Sequence, residues 1–399
     1  MKSSLLFRLA VLCTAIGMAA CSTDGFPLKD GDMSAGDSMS TGDESDVPDG
    51  DGHENHAGII TAGEWNDLEN WDFWQELINA QDQQESYREH LIYWGLGTQG
   101  RIPVTVIDND GNAVCGAKVE LFYDGWKDPV WTAISDNKGS AELWYTILAS
   151  HSESDEVHVY TISIDGVAIE TPVTPNEENI VTVSNTATVQ KIVDIAFIVD
   201  ATGSMADEIQ FLKDDMIVIL NKVKVSQSDK SFRTAALFYR DTRDEYLTKY
   251  DNFRDDPSAT LRYIKQQNAR GGGDYPEAVH TALEESLQNL SWTEGGYARL
   301  AFLILDAPPH HDPKVVKSIC DSMKGYAANG IKIIPVAASG IDRNTEALLR
   351  LMAIFTDGTY VFITDDSGVG NHHITPSVGE YQVESLNGLI VRLINKYSE

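Results

Sequence analysis

A chain of 399 residues with 42% hydrophobic residues is long enough for two or three domains with buried cores, which excludes disorder throughout. Its 61 acidic residues outnumber its 30 basic residues, and the net charge at pH 7 is -31. Such a charge repels nucleic acid and anionic lipid, so nucleic-acid binding is not expected. The acidity is compatible with basic or metal-mediated partners.

The first twenty residues have the pattern of an export signal. Lys2 and Arg8 give a positive start, residues 9–19 form an apolar run too short to span a bilayer, and small residues precede Cys21. The ending MAAC resembles the lipobox of bacterial lipoproteins, in which the cysteine becomes the lipid-modified first residue. This resemblance implies a signal peptide over residues 1–20, lipid attachment at Cys21, and a cell-envelope location on the outer membrane, either periplasmic or surface-exposed. A plain secretory signal that contains a cysteine is the alternative.

Residues 21–57 are dominated by Asp, Gly and Ser and hold almost no large apolar side chain. This composition predicts an acidic, disordered tether that would lift the folded part of the chain off a membrane. Weak Ca²⁺ binding by the repeated Asp residues, with a soft metal contact from His53 and His56, is the alternative interpretation.

Residues 58–100 form a Trp-rich segment, in which Trp71, Trp74 and Leu77 have the spacing of one helix face. We predict one short helix with connectors. Aromatic stripes of this kind usually belong to a core, so we expect these side chains to pack onto the next domain. A carbohydrate-binding platform is the alternative.

Residues 101–190 show alternating apolar and polar positions, interrupted by Asp-Gly and Asn-Lys-Gly turns. This pattern predicts a small antiparallel β-sandwich. Asp108, Asp110 and Gly111 resemble part of a Ca²⁺ loop, but the later Glu of an EF-hand is missing, so we interpret them as a hairpin turn. The run VIDNDGNAVCGAKVELF followed by DNKGSAELW resembles transthyretin-like or carboxypeptidase-regulatory modules, which implies a spacer or binding adaptor.

Residues 191–399 alternate between apolar runs and helical patterns of 12 to 18 residues. Continuous apolar runs such as IVDIAFIVD, RLAFLILDA and IKIIPVAAS are typical of strands buried on both faces. The alternation predicts a doubly wound, Rossmann-like α/β domain with a mainly parallel sheet. The whole chain is therefore expected to be multidomain, with the β-sandwich followed by this α/β domain.

Two of the strongest predicted strands end in acids, Asp200 and Asp306. In an open α/β sheet, ligands collect at the carboxyl ends of the strands where the strand order reverses. If the two strands are neighbours there, their carboxylates converge. Asp200 opens the loop DATGSM, so Thr202 and Ser204 can point hydroxyls at the same small volume. Hard oxygen ligands of this kind suit Mg²⁺, with Ca²⁺ and Mn²⁺ as alternatives.

These residues resemble the metal-ion-dependent adhesion site of von Willebrand factor A domains, whose motif DxSxS is joined by a Thr and an Asp from later loops. Thr202 replaces the first Ser, Asp274 in GGGDYPEA occupies the Thr position, and Asp306 in LDAPPH is the last Asp. The loops DATGSM, FYRD, GGGDYPEA, LDAPPHH and DDSGVGNHHI together are similar to a bacterial subgroup and to the A domain associated with alpha-kinases. The resemblance implies a metal site formed by Asp200, Thr202, Ser204, Asp274 and Asp306. That Asp200 and Asp306 merely cap helices is the alternative.

Several residues around this site have weaker assignments. Asp241 is a candidate for orienting a metal-bound water, ahead of Thr242. The three glycines 271–273 would let the backbone approach the cation closely. Four histidines near the rim are candidates for ligand contacts, although solvated roles are more common: His310, His311, His372 and His373.

Cys115 and Cys320 are the two cysteines that remain after the export signal and the lipobox, and they fall in different predicted domains. No disulfide framework follows from two such positions. We expect two buried free thiols, with a bridge between them as the alternative.

The predicted function is binding and not catalysis. A partner protein or other ligand would offer an oxygen donor to the cation, while the lipid anchor holds the chain at the membrane. No Ser-His-Asp set, HExxH motif or Walker sequence is evident, so no catalytic residue and no organic cofactor is predicted. A metal-dependent hydrolase with Asp241 or His310 as base is one alternative. An assembly or chaperone-like component of an envelope complex is another.

Overall fold

The structure is a computed structural model that describes residues 60–80, 86–123, 126–149, 159–184, 188–365 and 373–399. The predicted signal peptide, Cys21 and the whole of the acidic tether lie outside these ranges. All of the described residues belong to one compact unit. None of the helices within the described ranges combines the length and apolar composition that a membrane span requires.

The strands and helices of the described residues alternate along most of the chain. The strands are β1 Thr61–Trp65, β2 Arg101–Ile107, β3 Lys118–Tyr123, β4 Trp131–Ile134, β5 Ser140–Trp144, β6 Tyr160–Ile164, β7 Val167–Ala168, β8 Asn179–Thr182, β9 Gln190–Asp200, β10 Ser231–Tyr239, β11 Thr248–Arg254, β12 Gly296–Leu305, β13 Ile331–Ala337, β14 Tyr360–Ile363 and β15 Glu384–Ser385. The helices are α1 Trp71–Asn79, α2 Tyr87–Tyr93, α3 Ala206–Ser226, α4 Pro257–Lys265, α5 Val279–Asn289, α6 Pro313–Ala328, α7 Arg343–Phe355 and α8 Leu386–Ser398. A short 3₁₀ turn, Gly203–Met205, precedes α3.

The largest sheet has eight strands in the order β11-β10-β9-β12-β13-β14-β1-β15. The five strands from β10 to β14 in this order run parallel, whereas β11 and β1 pair antiparallel with the strands beside them. Helices cover both faces, because the central strands present mostly apolar, buried side chains on each side. The predicted α/β fold with a mainly parallel sheet is confirmed, and the sheet as a whole is mixed.

The Trp-rich segment differs from its prediction, because it contains a strand and two helices in place of one short helix. β1 joins the large sheet beside β14, where its small residues Ala62 and Gly63 allow close packing. Trp74 and Trp94 are fully buried, and the Trp74 indole donates a hydrogen bond to Thr98 at 2.8 Å. The expected packing into a core is therefore confirmed for Trp74, and Trp71 and Leu77 pack against the same core while partly buried.

Residues 101–184 contribute two small sheets, one with the order β5-β2-β8 and one with the order β4-β3-β6-β7. All of their strand pairs are antiparallel except β2 with β8, which is parallel and departs from the purely antiparallel prediction. The Asp108 carboxylate accepts hydrogen bonds from the backbone of Asp110 and Asn112, as in the expected turn.

The small sheets share a hydrophobic core with one face of the large sheet. Trp144 of β5 packs edge-on against Phe355 of α7, with ring centroids 4.9 Å apart. Buried residues of α5, α6 and α7 belong to the same cluster. The opposite face of the sheet packs against α3 and α8. The small sheets and the α/β domain, which were predicted as separate modules, thus share one continuous hydrophobic core.

Cys115 and Cys320 are both free thiols, so the disulfide alternative is wrong. Each is half-buried. Burial raises the pKa of both thiols, that of Cys115 to about 11, which makes them poor nucleophiles at neutral pH.

Candidate metal site

The strands that precede Asp200 and Asp306 are direct neighbours. β9 and β12 pair in parallel, with Val199 opposite Ile304. The strand that follows β9 in the chain, β10, pairs with the other edge of β9, and the strand that follows β12, β13, pairs with the other edge of β12. The strand order therefore reverses between β9 and β12, where α/β sheets bind ligands. The expectation that both carboxylates lie at the switch point is confirmed by this register.

The loop after β9 is held by hydrogen bonds from Thr202 to Asp200. One Asp200 oxygen, Oδ1, accepts the backbone N–H of Thr202 at 2.8 Å and its hydroxyl at 2.7 Å. The Gly203 N–H donates to the Gly271 carbonyl at 3.2 Å, which joins this loop to the glycine-rich loop. The residues DATGS are thereby fixed in a tight turn at the start of α3.

Three buried carboxylates at this edge each have an oxygen with no hydrogen-bond partner among the described residues. These oxygens are Oδ2 of Asp200, Oδ1 of Asp306 and Oε2 of Glu277. The three residues are 0%, 7% and 3% exposed, respectively. Unpartnered buried polar atoms are rare in proteins and costly in free energy, so their concentration here indicates a site built for a ligand.

Burial and the proximity of other acids shift the pKa values of these carboxyl groups. Burial, with nearby Asp306 and Asp244, raises the pKa of Asp200 to about 7. Burial, with Asp200 and other acids, raises the pKa of Glu277 to about 9. Burial raises the pKa of Asp306, although a hydrogen bond from Ser204 opposes the shift. A group of carboxyls that resists ionisation is one that a divalent cation would stabilise in its charged form.

Three of the acids at this edge were not predicted from the sequence. Glu277 precedes α5, and its backbone N–H donates to the Pro308 carbonyl at 2.8 Å, which ties it to the loop after Asp306. Glu208, buried in α3, has its pKa raised to about 7 by burial and by Asp306.

Asp244 accepts hydrogen bonds from the backbone of Asp241 and Gly272. The Glu of GGGDYPEA was the one available signal, since it lies three residues after Asp274.

Asp274 is exposed on the glycine-rich loop, in contrast to the buried Glu277. Gly271 and Gly272 of this loop have φ angles of +84° and +75°, which glycine adopts readily. The loop therefore turns sharply past Thr202 and leaves Asp274 toward solvent.

Asp241 lies beside the site and pairs with a histidine. Its Oδ1 is 2.7 Å from Nε2 of His310, and the Thr242 hydroxyl donates to its other oxygen at 3.3 Å. Burial raises the pKa of Asp241, but the hydrogen bonds from His310 and Thr242 outweigh it and leave the pKa below its ordinary value. The structure thus places Asp241 and His310 together, as the sequence-based assignments allowed.

The other histidines lie in different surroundings. His311 stacks on Tyr93 of α2, with ring centroids 3.9 Å apart, and contacts the Tyr93 carbonyl. His373 is buried and contacts Asp365 at 2.8 Å, after β14. His372 lies outside the described residues.

The donor set fits a hard cation that accepts hydroxyl as well as carboxylate oxygens. No group of three His, Cys, Asp or Glu side chains within the described ranges is arranged as a ready-made metal cluster. Asp200, Asp306, Thr202 and Ser204 nevertheless supply two carboxylates and two hydroxyls from adjacent loops. Mg²⁺ is suited to such a set because it takes few direct carboxylates and retains waters.

Comparison with known families identifies the domain that carries this site. Residues 194–345 match the family model of the von Willebrand factor A domain. The chain therefore contains a von Willebrand factor A domain, and the matched range includes the acids and hydroxyls described above, from Asp200 to Asp306.

Two curated relatives share about this range. The alpha-protein kinase vwkA of Dictyostelium discoideum is 30% identical over 143 residues, which is 35% of this chain and 22% of the relative. The ariadne-like RING finger protein R811 of Acanthamoeba polyphaga mimivirus is 30% identical over 122 residues, 31% of this chain and 12% of the relative. The chain thus spans less than a quarter of the length of either protein.

Similar solved structures include a von Willebrand factor type A protein from Catenulispora acidiphila and the conserved hypothetical protein BatB from Bacteroides thetaiotaomicron. The first is 13% identical with a TM-score of 0.36, and the match covers 60% of this chain and 45% of that one. The second is 14% identical with a TM-score of 0.36, covering 52% of this chain and 98% of that one.

Proposed function

We propose that this protein is a cell-envelope lipoprotein whose von Willebrand factor A domain binds a partner protein through a divalent cation, most simply Mg²⁺. Domains of this family generally mediate protein interactions. The observation that carries the proposal is the set of buried, unpartnered carboxylate oxygens of Asp200, Asp306 and Glu277 at the switch point. Asp200, Thr202, Ser204 and Asp306 would hold the cation. When bound, the cation would supply an electrophilic position for an oxygen atom of the partner.

The surroundings of the site support an interaction role. Two tyrosines at its rim are substantially exposed, Tyr93 at 43% and Tyr275 at 45%. The Tyr93 ring is supported by its stack on His311, and the Tyr275 hydroxyl donates to the Gly340 carbonyl at 3.0 Å. Ordered, exposed tyrosines supply contact area at low cost in conformational entropy, as protein interfaces require.

The two small sheets would act as a spacer or adaptor of the β-sandwich type. Their apolar continuity with the α/β core supports a role in presenting the A domain at a fixed orientation. Residues 21–57 would then extend this unit from a lipid at Cys21.

Partner binding is tested by capture from envelope extract with the full chain as bait, in Mg²⁺ and again in chelator. We expect one set of partners that is retained in Mg²⁺, released by chelator and lost with Asp306→Ala. Asp321→Asn is the matched control, because Asp321 is an exposed acid on α6 that pairs with Lys317. Partners retained equally in chelator, or by Asp306→Ala, would contradict the proposal.

The lipid anchor is tested separately by mass spectrometry of the mature N-terminus. A chain that begins at Cys21 and carries a diacylglyceryl mass supports the anchor. An unmodified Cys21, or cleavage at another position, would contradict it.

A metal-dependent hydrolase is the second candidate, favoured by the 2.7 Å contact between His310 and Asp241. A histidine held by a buried carboxylate beside a metal site could take a proton from a bound water. Turnover of ester or phosphoester substrates that is lost with His310→Ala would support it. An assembly or chaperone-like role would instead give Mg²⁺-dependent partners that belong to one envelope complex.

A further inference from the structure

We infer that Glu277 is a third carboxylate of the cation site, in the role that the sequence pattern gives to Asp274. The inference rests on the proposed cation binding and specifies which acids the cation contacts, directly or through a water. It also predicts the charge of the partner surface that the cation-bound site accepts.

The first observation is the contrast in burial within one loop. Glu277 is 3% exposed and its Oε2 atom has no hydrogen-bond partner among the described residues. Asp274, three residues earlier, is exposed. A buried carboxylate oxygen without a donor lacks the solvation that stabilises its charge, which a cation would restore.

The second observation is the close approach of the glycine-rich loop. A Cβ atom added to Gly272 would lie 3.2 Å from Oε1 of Glu277 and 3.3 Å from Cβ of Thr202. The same small volume is therefore bordered by the Glu277 carboxylate and the Thr202 side chain. A side chain at this point would crowd both groups, and the φ angle of +75° also favours glycine there.

The third observation is the way in which the loops are joined. The N–H of Glu277 donates to the Pro308 carbonyl, two residues after Asp306, and Glu277 and Pro309 form an isolated parallel bridge. The backbone that carries Glu277 is thus fixed to the backbone that carries Asp306. Electrostatic effects agree with this placement, because Asp200 and Asp306 both act on the Glu277 carboxyl.

Three carboxylates exceed the charge of one divalent cation. With Asp200, Asp306 and Glu277 ionised, the loaded site carries a formal charge of about -1, before Asp241 and Asp244 are considered. A partner carboxylate would be repelled by this charge, whereas a carbonyl or hydroxyl oxygen, or an oxygen next to a basic side chain, would be accepted. The favoured partner surface is therefore neutral or basic.

Calorimetric titration of the full chain with Mg²⁺ tests the assignment. We expect Glu277→Gln to bind Mg²⁺ about 10- to 100-fold more weakly than the unaltered protein. Asp274→Asn is the matched control on the same loop and should bind within about twofold, as for surface substitutions. Equal binding by Glu277→Gln, or weakened binding by Asp274→Asn alone, would overturn the inference. No Mg²⁺ binding by the unaltered protein would overturn the proposed function itself.

Thermal unfolding in chelator separates a role in cation binding from a role in folding. Glu277→Gln should unfold at the same or a higher temperature than the unaltered protein, because it removes an unpartnered buried acid. If Glu277→Gln unfolds at a lower temperature than the unaltered protein, the Mg²⁺ affinity of Glu277→Asp distinguishes the two roles, because this variant keeps the carboxylate. Recovery of Mg²⁺ affinity by Glu277→Asp relative to Glu277→Gln supports the inference, and equal loss in both variants contradicts it.

Acetate in excess tests the consequence for partner charge. It should leave the Mg²⁺ affinity of the unaltered protein unchanged and should strengthen that of Glu277→Gln, which carries one negative charge fewer. Equal strengthening in both proteins would contradict the net negative charge of the loaded site.

Discussion

Two regions of this molecule bury ionisable side chains, but only one of them pairs these side chains with groups of opposite charge. In the junction between the N-terminal segments and the large sheet, charges are paired: Arg350 and Asp67 are 0% and 1% exposed at the side chain and lie 2.6 Å apart. At the candidate metal site, Asp200, Glu277 and Asp306 are all acids. A buried charge with its partner can hold a structure together, whereas like charges without partners destabilise it unless a ligand is bound. The first region is therefore structural, and the second fits the proposed cation site.

The junction continues beyond the Arg350 pair. Lys332 of β13 contacts Asp136 of the small sheets at 3.2 Å and also bonds Asp357. Although burial lowers the pKa of Lys332, the two carboxylates more than reverse the shift and keep the amine charged. Each of these carboxylates thus contacts a basic side chain within the fold.

The largest expected effect is on the junction. Arg350→Met should lower the free energy of unfolding by about 3–5 kcal/mol, because it leaves Asp67 buried without its partner. Mg²⁺ affinity should remain unchanged. Urea unfolding measures the first quantity and calorimetry the second.

Arg392→Met is the control for this substitution. Arg392 is 46% exposed and pairs with Glu64 and Glu384, so its loss should cost about 0–1 kcal/mol. A similar cost for Arg350→Met and Arg392→Met would contradict the structural importance of the buried pair.

An intermediate effect is expected from pH on the cation-free protein. The folded state keeps protons on Glu277 up to about pH 9 and on Asp200 up to about pH 7, whereas the unfolded chain releases them near pH 4. The folded state thus binds more protons, and its stability falls as pH rises. In chelator, we expect the unfolding temperature to drop by about 2–5 °C between pH 5 and pH 8.

Saturating Mg²⁺ should remove or reverse this slope, because the cation favours the ionised carboxyls. The double variant Asp200→Asn/Glu277→Gln should show a shallower slope in chelator. The same slope in the double variant would assign the pH dependence to groups elsewhere in the chain.

The smallest expected effect is at the rim. Tyr93→Ala should weaken partner capture by roughly 1–2 kcal/mol, the usual range for an exposed aromatic contact, without changing Mg²⁺ affinity. Val225→Ala is the control, because Val225 is 82% exposed at the far end of α3 from the Asp200 loop. Equal effects of Tyr93→Ala and Val225→Ala on partner capture would contradict a specific rim contact.

Sequence patterns predicted the central fold well, because long apolar runs and helical periodicity follow directly from burial. They missed β1 and β11 for physical reasons. β1 is five residues long, rich in small side chains, and pairs with a strand almost 300 positions later in the chain. β11 lies at an edge and has the polar sequence TKYDNFR, so it shows no apolar signal.

The placement of Asp200, Thr202 and Asp306 at one edge of the sheet was predictable, because it depends on strand ends and loop motifs. The burial of Glu277 beside them was missed, because the motif position of Asp274 carries no information on which acid of the loop turns inward. That choice depends on the left-handed glycines of the loop and on the bond to Pro308, which are properties of the folded chain. The Arg350–Asp67 pair was hidden for a similar reason, since 283 positions separate its members.

The most direct measurement is a calorimetric Mg²⁺ titration of the unaltered protein beside Asp306→Asn at the same pH. The central claim is that the unpartnered acids Asp200, Glu277 and Asp306 together bind a cation. We expect one binding site per chain in the unaltered protein, and an affinity on the order of 100-fold lower or beyond detection in Asp306→Asn. Absence of binding in the unaltered protein, or equal binding in both, would contradict the claim.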